Sequence, residues 1–213
     1  MTIAVGRALA AVLIIGATAR VFAPATAMAQ TAEQWNCRGD TDDLDGQIKG
    51  CTRAIESGKY QGKGLAWAYT NRGSVYDYLR DFDHALADLD EAIRLDPDSL
   101  AAYQNRAASY RNTGQLDRAL ADLNRAAELA PNDARTFLSR GIIYFRLGQT
   151  ERSIADYDRS LKLNPNFTAS LYGRGVAKLK LGDTEGGNAD IRDAKAAQPR
   201  IAEIFVKYFD IAP

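Results

Sequence analysis

The chain has 213 residues, of which 46% are hydrophobic and 25% charged. Its 27 basic residues balance 27 acidic ones, so there is no electrostatic case for binding nucleic acid. With one histidine and two cysteines, it carries no metal-ligand cluster, phosphate loop or nucleophile motif, and it calls for no cofactor.

Residues 1–29 contain no acidic residue. Arg7 precedes an apolar run over 8–19, which is short of the ~20 residues that span a bilayer. Small residues at Ala27 and Ala29 then form a signal-peptidase pattern. The expectation is a secretory signal over 1–29, cleaved to leave an exported, periplasmic or secreted protein with no membrane span. The alternative is an uncleaved N-terminal anchor. Cys37 follows "EQWN", which is too polar and bulky for a lipid-attachment site. The remaining 30–213 would hold 25 basic and 27 acidic residues, a net charge of −2. That length suits one domain with a substantial core.

Cys37 and Cys51 make an even pair in an exported chain, which suggests a disulfide. It would close a loop of about 15 residues and contribute about 3 kcal/mol on the chain-entropy estimate. Two separate buried thiols are the alternative. Between them, "DTDDLDG" lacks the glutamate a calcium loop needs at position twelve from Asp40, where Cys51 stands. The stretch is too polar and too rich in Gly and Asp to continue a helix. A short first helix, an acidic loop and a second helix over 47–57 are therefore expected, together a divergent hairpin within 30–65.

From residue 66 the chain repeats with a period of 34. Small residues recur at Gly73, Ala107, Gly141 and Gly175; at Ala85, Ala119, Ser153 and Gly187; and at Ala92, Ala126, Ser160 and Ala194. Prolines close each unit at Pro97, Pro131, Pro165 and Pro199. Aromatics recur at Tyr69, Tyr103 and Phe137, and at Tyr76, Tyr110 and Tyr144. Apolar spacings of three and four predict two amphipathic helices per unit. In the second unit these cover 100–113, ended by Gly114, and 116–129, ended before Pro131. One such hairpin cannot bury its apolar face alone, whereas stacked hairpins share a core.

This pattern of aromatic, Gly/Ala, Tyr, Gly, Ala and Pro positions resembles the tetratricopeptide repeat. The resemblance implies an all-α, right-handed superhelix of four units, 66–99, 100–133, 134–167 and 168–199, whose first helices line a concave groove. The fourth unit departs from the pattern at Lys178, Gly186 and Gly187, and each glycine weakens its helix by about 1 kcal/mol relative to Ala. Trp35, Arg38 and Gly39 lie 34 residues before Tyr69, Arg72 and Gly73, so the divergent N-terminal hairpin is expected to be a disguised further unit.

Two ladders of opposite charge share the period: Arg72, Arg106, Arg140 and Arg174, and Asp88, Asp122, Asp156 and Asp190. We expect them to pair, because an arginine fork can hold a carboxylate in two-point contact. An arginine row for an anionic ligand is the alternative. The groove-facing side of the first helices is expected to include Thr70, Asp77, Gln104, Asn105, Arg111, Leu138, Phe145 and Tyr172, polar at the N-terminal end and apolar towards the C-terminal end. This suits an extended peptide or an amphipathic helix. A subclass of the family grips a partner's C-terminal carboxylate with Lys, Asn and Arg. Thr70, Ser74 and Ser139 stand at positions that this clamp needs, so it is not expected here. His84, at the start of a second helix, suits a surface or packing role. In 200–213, Ile201, Ile204, Phe205, Tyr208 and Phe209 share a face, expected to cap the open end of the stack or, alternatively, to fold over the apolar half of the groove or join two copies. The expected function is non-enzymatic binding of a protein or peptide as a scaffold of the cell envelope, with a self-assembling homo-oligomer as the alternative.

Overall fold

A computed structural model of the chain describes Cys37 and residues 43–209. The expected signal segment, Trp35, Arg38, Gly39 and residues 210–213 lie outside the described residues. Among the described residues from 43 onward, ten α-helices follow in order: α1 Leu44–Glu56, α2 Ala66–Tyr78, α3 Phe82–Leu95, α4 Leu100–Asn112, α5 Leu116–Leu129, α6 Ala134–Arg146, α7 Thr150–Leu163, α8 Thr168–Lys180, α9 Thr184–Ala197 and α10 Ile201–Phe209. One 3-10 turn, Gly62–Leu65, precedes α2. No strand occurs among the described residues, and no helix among them is long and apolar enough to cross a membrane.

The helices pair as α2/α3, α4/α5, α6/α7 and α8/α9, and each pair packs on the next. Successive first helices also touch, α2 with α4 and α6 with α8. The first helices therefore crowd together on the inside of an all-α superhelix and line its concave face. Each hairpin closes on small residues. A Cβ on Gly73 would meet the Leu89 side chain at 2.9 Å, and one on Gly141 would meet the Tyr157 ring at 2.8 Å. Gly175 and Gly187 face each other, and a Cβ on either would lie 2.8 Å from the other's carbonyl oxygen. Gly187 thus permits close approach of α8 and α9, and the propensity penalty expected for it is outweighed by packing.

Local chemistry sets the helix ends. Asp81, Ser99, Asp133 and Asp183 each accept a hydrogen bond from the backbone N–H three residues on, satisfying an otherwise free donor. Gly114, Gly148 and Gly182 take positive φ just past the first helix of their units. The same place in the 66–99 unit is held by Arg80, at φ 62°.

Cys37 and Cys51 form a disulfide with Cα atoms 4.7 Å apart. Both are buried beside Ala54 and Ala68. The acidic stretch departs from expectation: α1 begins at Leu44, so Asp45 and Gly46 are already helical. Asp43 caps it by accepting from the Gly46 N–H at 2.9 Å. Acidic residues at a cap and in a first turn favour helix entry, because they oppose the positive end of the helix dipole.

The two charge ladders interlock. Nε and Nη2 of Arg72, Arg106, Arg140 and Arg174 donate to both carboxylate oxygens of Asp88, Asp122, Asp156 and Asp190 at 2.7–2.8 Å. Nη1 of each arginine reaches the preceding unit, to Thr52, Asp90, Asn124 and Asp158. One guanidinium therefore ties three helices together. The hydrogen bonds that Arg106 donates to Asp122 outweigh burial and hold its guanidinium above the usual arginine range, with the bond to Asp90 adding to the effect. Thr52 lies one helical turn earlier in α1 than the 34-residue period would place it, so the divergent hairpin joins the ladder out of step.

Candidate functional site

The concave face is built by α2, α4, α6 and α8, and its two halves differ. On α2 and α4 the side chains are mostly polar. Asp77 accepts both hydrogen bonds of its contact with the Asn112 amide, at 3.2 and 3.1 Å. Asp77, Tyr78, Arg80, Arg111, Asn112 and Lys207 line an open cleft of about 310 Å³. Tyr78 is 73% exposed.

Arg111 stands where the halves meet. Its guanidinium carbon lies 5.2 Å from the centre of the Phe209 ring. Nη2 donates to Asn112 at 3.2 Å, while the buried Nε has no hydrogen-bond partner among the described residues. Arg146 donates to the Arg111 carbonyl at 3.2 Å. Burial pulls the Arg111 pKa down, against the pull of Asp77 upward and with Arg146 adding to the fall. Beyond it, Lys180 places its ammonium 4.5 Å over the Phe145 ring.

The apolar half is not open. Leu138, Ile142, Tyr172 and Val176 form one buried cluster with Ile201 and Phe205 of α10. Phe205 lies 4.9 Å from both the Tyr172 and the Phe209 rings. The expectation that Leu138 and Tyr172 line an accessible groove is therefore corrected. Leu138 is 8% exposed within that cluster and Tyr172 is fully buried, because apolar area on α8 is removed from water by the chain's own last helix. Phe145 is only partly buried against the same cluster.

Thr70 is also corrected, and Gln104, half-buried, is engaged within the fold. Thr70 is buried, and its hydroxyl donates to the Ala66 carbonyl at 2.9 Å within α2. Gln104 donates to Asp133 at 2.6 Å and to Thr136 at 2.7 Å, tying α4 to the start of α6. Hydrogen bonds from Thr136 and Gln104 outweigh the burial of Asp133 and keep its carboxyl below the ordinary range. Asn105 is half-buried on α4. Asp77 and Arg111 are thus the candidates brought together around the open cleft, while Phe145 lies apart, under Lys180 and against the apolar cluster.

The structure adds Tyr78, Asn112, Arg146 and Lys180 to the groove. These four share one 34-residue column, next to Asp77, Arg111, Phe145 and Leu179. The period was the signal that could have found them. His84 sits outside the groove, exposed, with Nδ1 2.8 Å from an Asp81 oxygen and its ring 5.1 Å from that of Tyr76. No cluster of metal-ligating side chains occurs among the described residues.

Four family models described as tetratricopeptide repeat match the chain, over residues 66–99, 89–121, 107–166 and 138–200. No curated protein matches it. Among solved structures, residues 41 to the end of MamA from Desulfovibrio magneticus RS-1 are similar with a TM-score of 0.69 and 17% identity, covering 83% of this chain and 97% of that one. A crystal structure titled MamA gives 0.64 and 19%, over 76% of this chain and 92% of that one. YrrB, titled a TPR protein with an unusual peptide-binding site, gives 0.63 and 20%, over 86% and 97%. At such identities the likeness establishes the fold.

Proposed function

The chain belongs to the tetratricopeptide repeat family, and we propose that it is an exported, non-enzymatic adaptor of the cell envelope that binds a protein or peptide in its concave groove. One observation carries this reading. The in-register arginines and aspartates are taken up by one another, whereas Asp77, Tyr78, Arg111 and Asn112 converge on an open cleft. A cleft of this size with mixed polar and aromatic walls suits a peptide segment of a partner. The peptide-binding site of YrrB supports the same use of a related fold. Export is supported by the signal pattern in residues 1–29 and by the Cys37–Cys51 disulfide, which persists in oxidising compartments.

The test is capture of a partner from an envelope extract, with a control chain carrying Asp77→Lys and Tyr78→Ala and showing an unchanged melting curve. A partner held by the wild type and lost by the control supports the reading. A partner held equally by both overturns the groove as its site. Joining two copies through the Phe205 and Phe209 face, the alternative, would require α10 to leave its own groove, since Phe205 is fully buried there.

A further inference from the structure

α10 sits where a ligand of the groove would sit. Ile201 and Phe205 are buried on α8 and its neighbours, and Phe209 packs against the same cluster. The three fall at i, i+4 and i+8, the anchor spacing of a helix lying in an apolar groove. Its nine residues are too few to hold a helix without the surface beneath, and it lies mainly on α8 with a lighter contact to α9.

The fit leaves two polar atoms unanswered. Tyr172 is fully buried beneath Phe205, and its hydroxyl has no hydrogen-bond partner among the described residues. The buried Nε of Arg111 has none either, and the guanidinium faces the ring of Phe209. Buried polar groups in native proteins are overwhelmingly paired, so each exception calls for a cause. Around this end of the groove stand Arg111, Arg146 and Lys180. The carboxylate that lines the cleft, Asp77, is engaged by Asn112. An acidic group in place of the Phe209 ring would meet a cation already desolvated and short of an acceptor, where charge-assisted hydrogen bonds are strongest.

We propose that α10 is a displaceable resident of the groove, and that the partner replacing it is an amphipathic helix with two apolar anchors four residues apart and a carboxylate one turn further on, at Arg111. This rests on the concave-groove reading and names the chemistry of its ligand. A tethered helix competes at an effective concentration on the order of millimolar, so the partner's apparent affinity is reduced by the fraction of chains that are closed.

The probes are fluorescein-labelled helical peptides of about 15 residues built around the α10 sequence, carrying Phe209→Glu or Phe209→Lys. They are titrated into the full chain as wild type, as Phe205→Ala, and as Phe205→Ala with Arg111→Gln. The Glu peptide is expected to bind Phe205→Ala at least tenfold more tightly than wild type, and at least tenfold more tightly than the Lys peptide binds. Arg111→Gln removes the difference between the peptides. Equal binding to wild type and a folded Phe205→Ala chain overturns displacement, and equal binding of the two peptides overturns the role of Arg111. Hydrogen exchange on the wild-type chain answers the case in which Phe205→Ala unfolds. There, saturating Glu peptide must speed exchange across 201–209 and leave α8 protected, and unchanged exchange in 201–209 overturns the proposal. The adaptor reading is judged separately, by the Asp77→Lys and Tyr78→Ala capture.

Discussion

Replacing Arg106 with alanine removes the fork that joins α3, α4 and α5. Its Nε and Nη2 hold both oxygens of Asp122, at 2.8 and 2.7 Å, and Nη1 reaches Asp90 at 2.6 Å. The Asp122 side chain is 7% exposed, while Asp90 is 58% exposed. Stranding a buried carboxylate costs about 3–5 kcal/mol; the lower end applies because Arg106 itself is partly solvated. The exposed Asp90 contact adds less than about 1 kcal/mol. The guanidinium also lies 5.8 Å from the Tyr103 and Tyr110 ring centres, a contribution of about 0.5–1 kcal/mol. Arg106→Ala should therefore destabilise the chain by about 4 kcal/mol, a large fraction of the 5–15 kcal/mol typical of a domain. Urea unfolding followed by helicity measures the loss. Arg106→Lys should recover less than half of it, since an ammonium cannot span two oxygens. Adding Asp122→Ala should cost little more, because the stranded charge is gone. A loss below about 1 kcal/mol, or additive single and double mutants, would refute the argument.

Arg80 holds a positive φ where the next three units use glycine. Arg80→Gly should stabilise by about 0.5–1 kcal/mol, the left-handed strain of about 1–2 kcal/mol set against glycine's greater chain entropy and the loss of a 5.6 Å contact with the Phe82 ring; a drop in melting temperature would count against it. Gly187→Ala should destabilise by about 1–2 kcal/mol despite alanine's better propensity, because the new Cβ would meet the Gly175 carbonyl at 2.8 Å; thermal melts decide the sign. Burial raises the Asp190 pKa, but hydrogen bonds from Arg174 and Lys178 outweigh it and leave the carboxyl below its ordinary value of 3.8. A depressed folded pKa contributes stability above the unfolded pKa of about 3.9 and loses it as pH falls through the folded value. The stability gap between wild type and Asp190→Asn should thus be full at pH 6 and shrink below about pH 4, and a gap that widens in acid would contradict this.

Much of the fold was legible because it is local. The small residues at Gly73, Gly141 and Gly175 mark close approaches between helices adjacent in sequence. Each ladder arginine meets an aspartate sixteen residues on, a separation set by one hairpin. The columns 77–78, 111–112, 145–146 and 179–180 trace the groove by the same period. Arg80 could be recognised as the odd member of a glycine column by counting alone.

By itself, then, the sequence determined the repeat, the hairpins and the pairing of the charge ladders, since each depends on neighbours within about 34 residues in chain order. Only the tertiary structure decided which groove residues a partner can reach. Gln104 is spent on Asp133, Thr70 on its own helix, and Tyr172 lies under Phe205. Those outcomes turn on where a terminal helix comes to rest. Ile201, Phe205 and Phe209 carry an apolar stripe that fits an end cap, a partner copy or the groove equally well in sequence. The choice falls to the groove because Leu138, Ile142, Tyr172 and Val176 form there an apolar cluster that takes in Ile201 and Phe205, with the Phe205 ring on that of Tyr172.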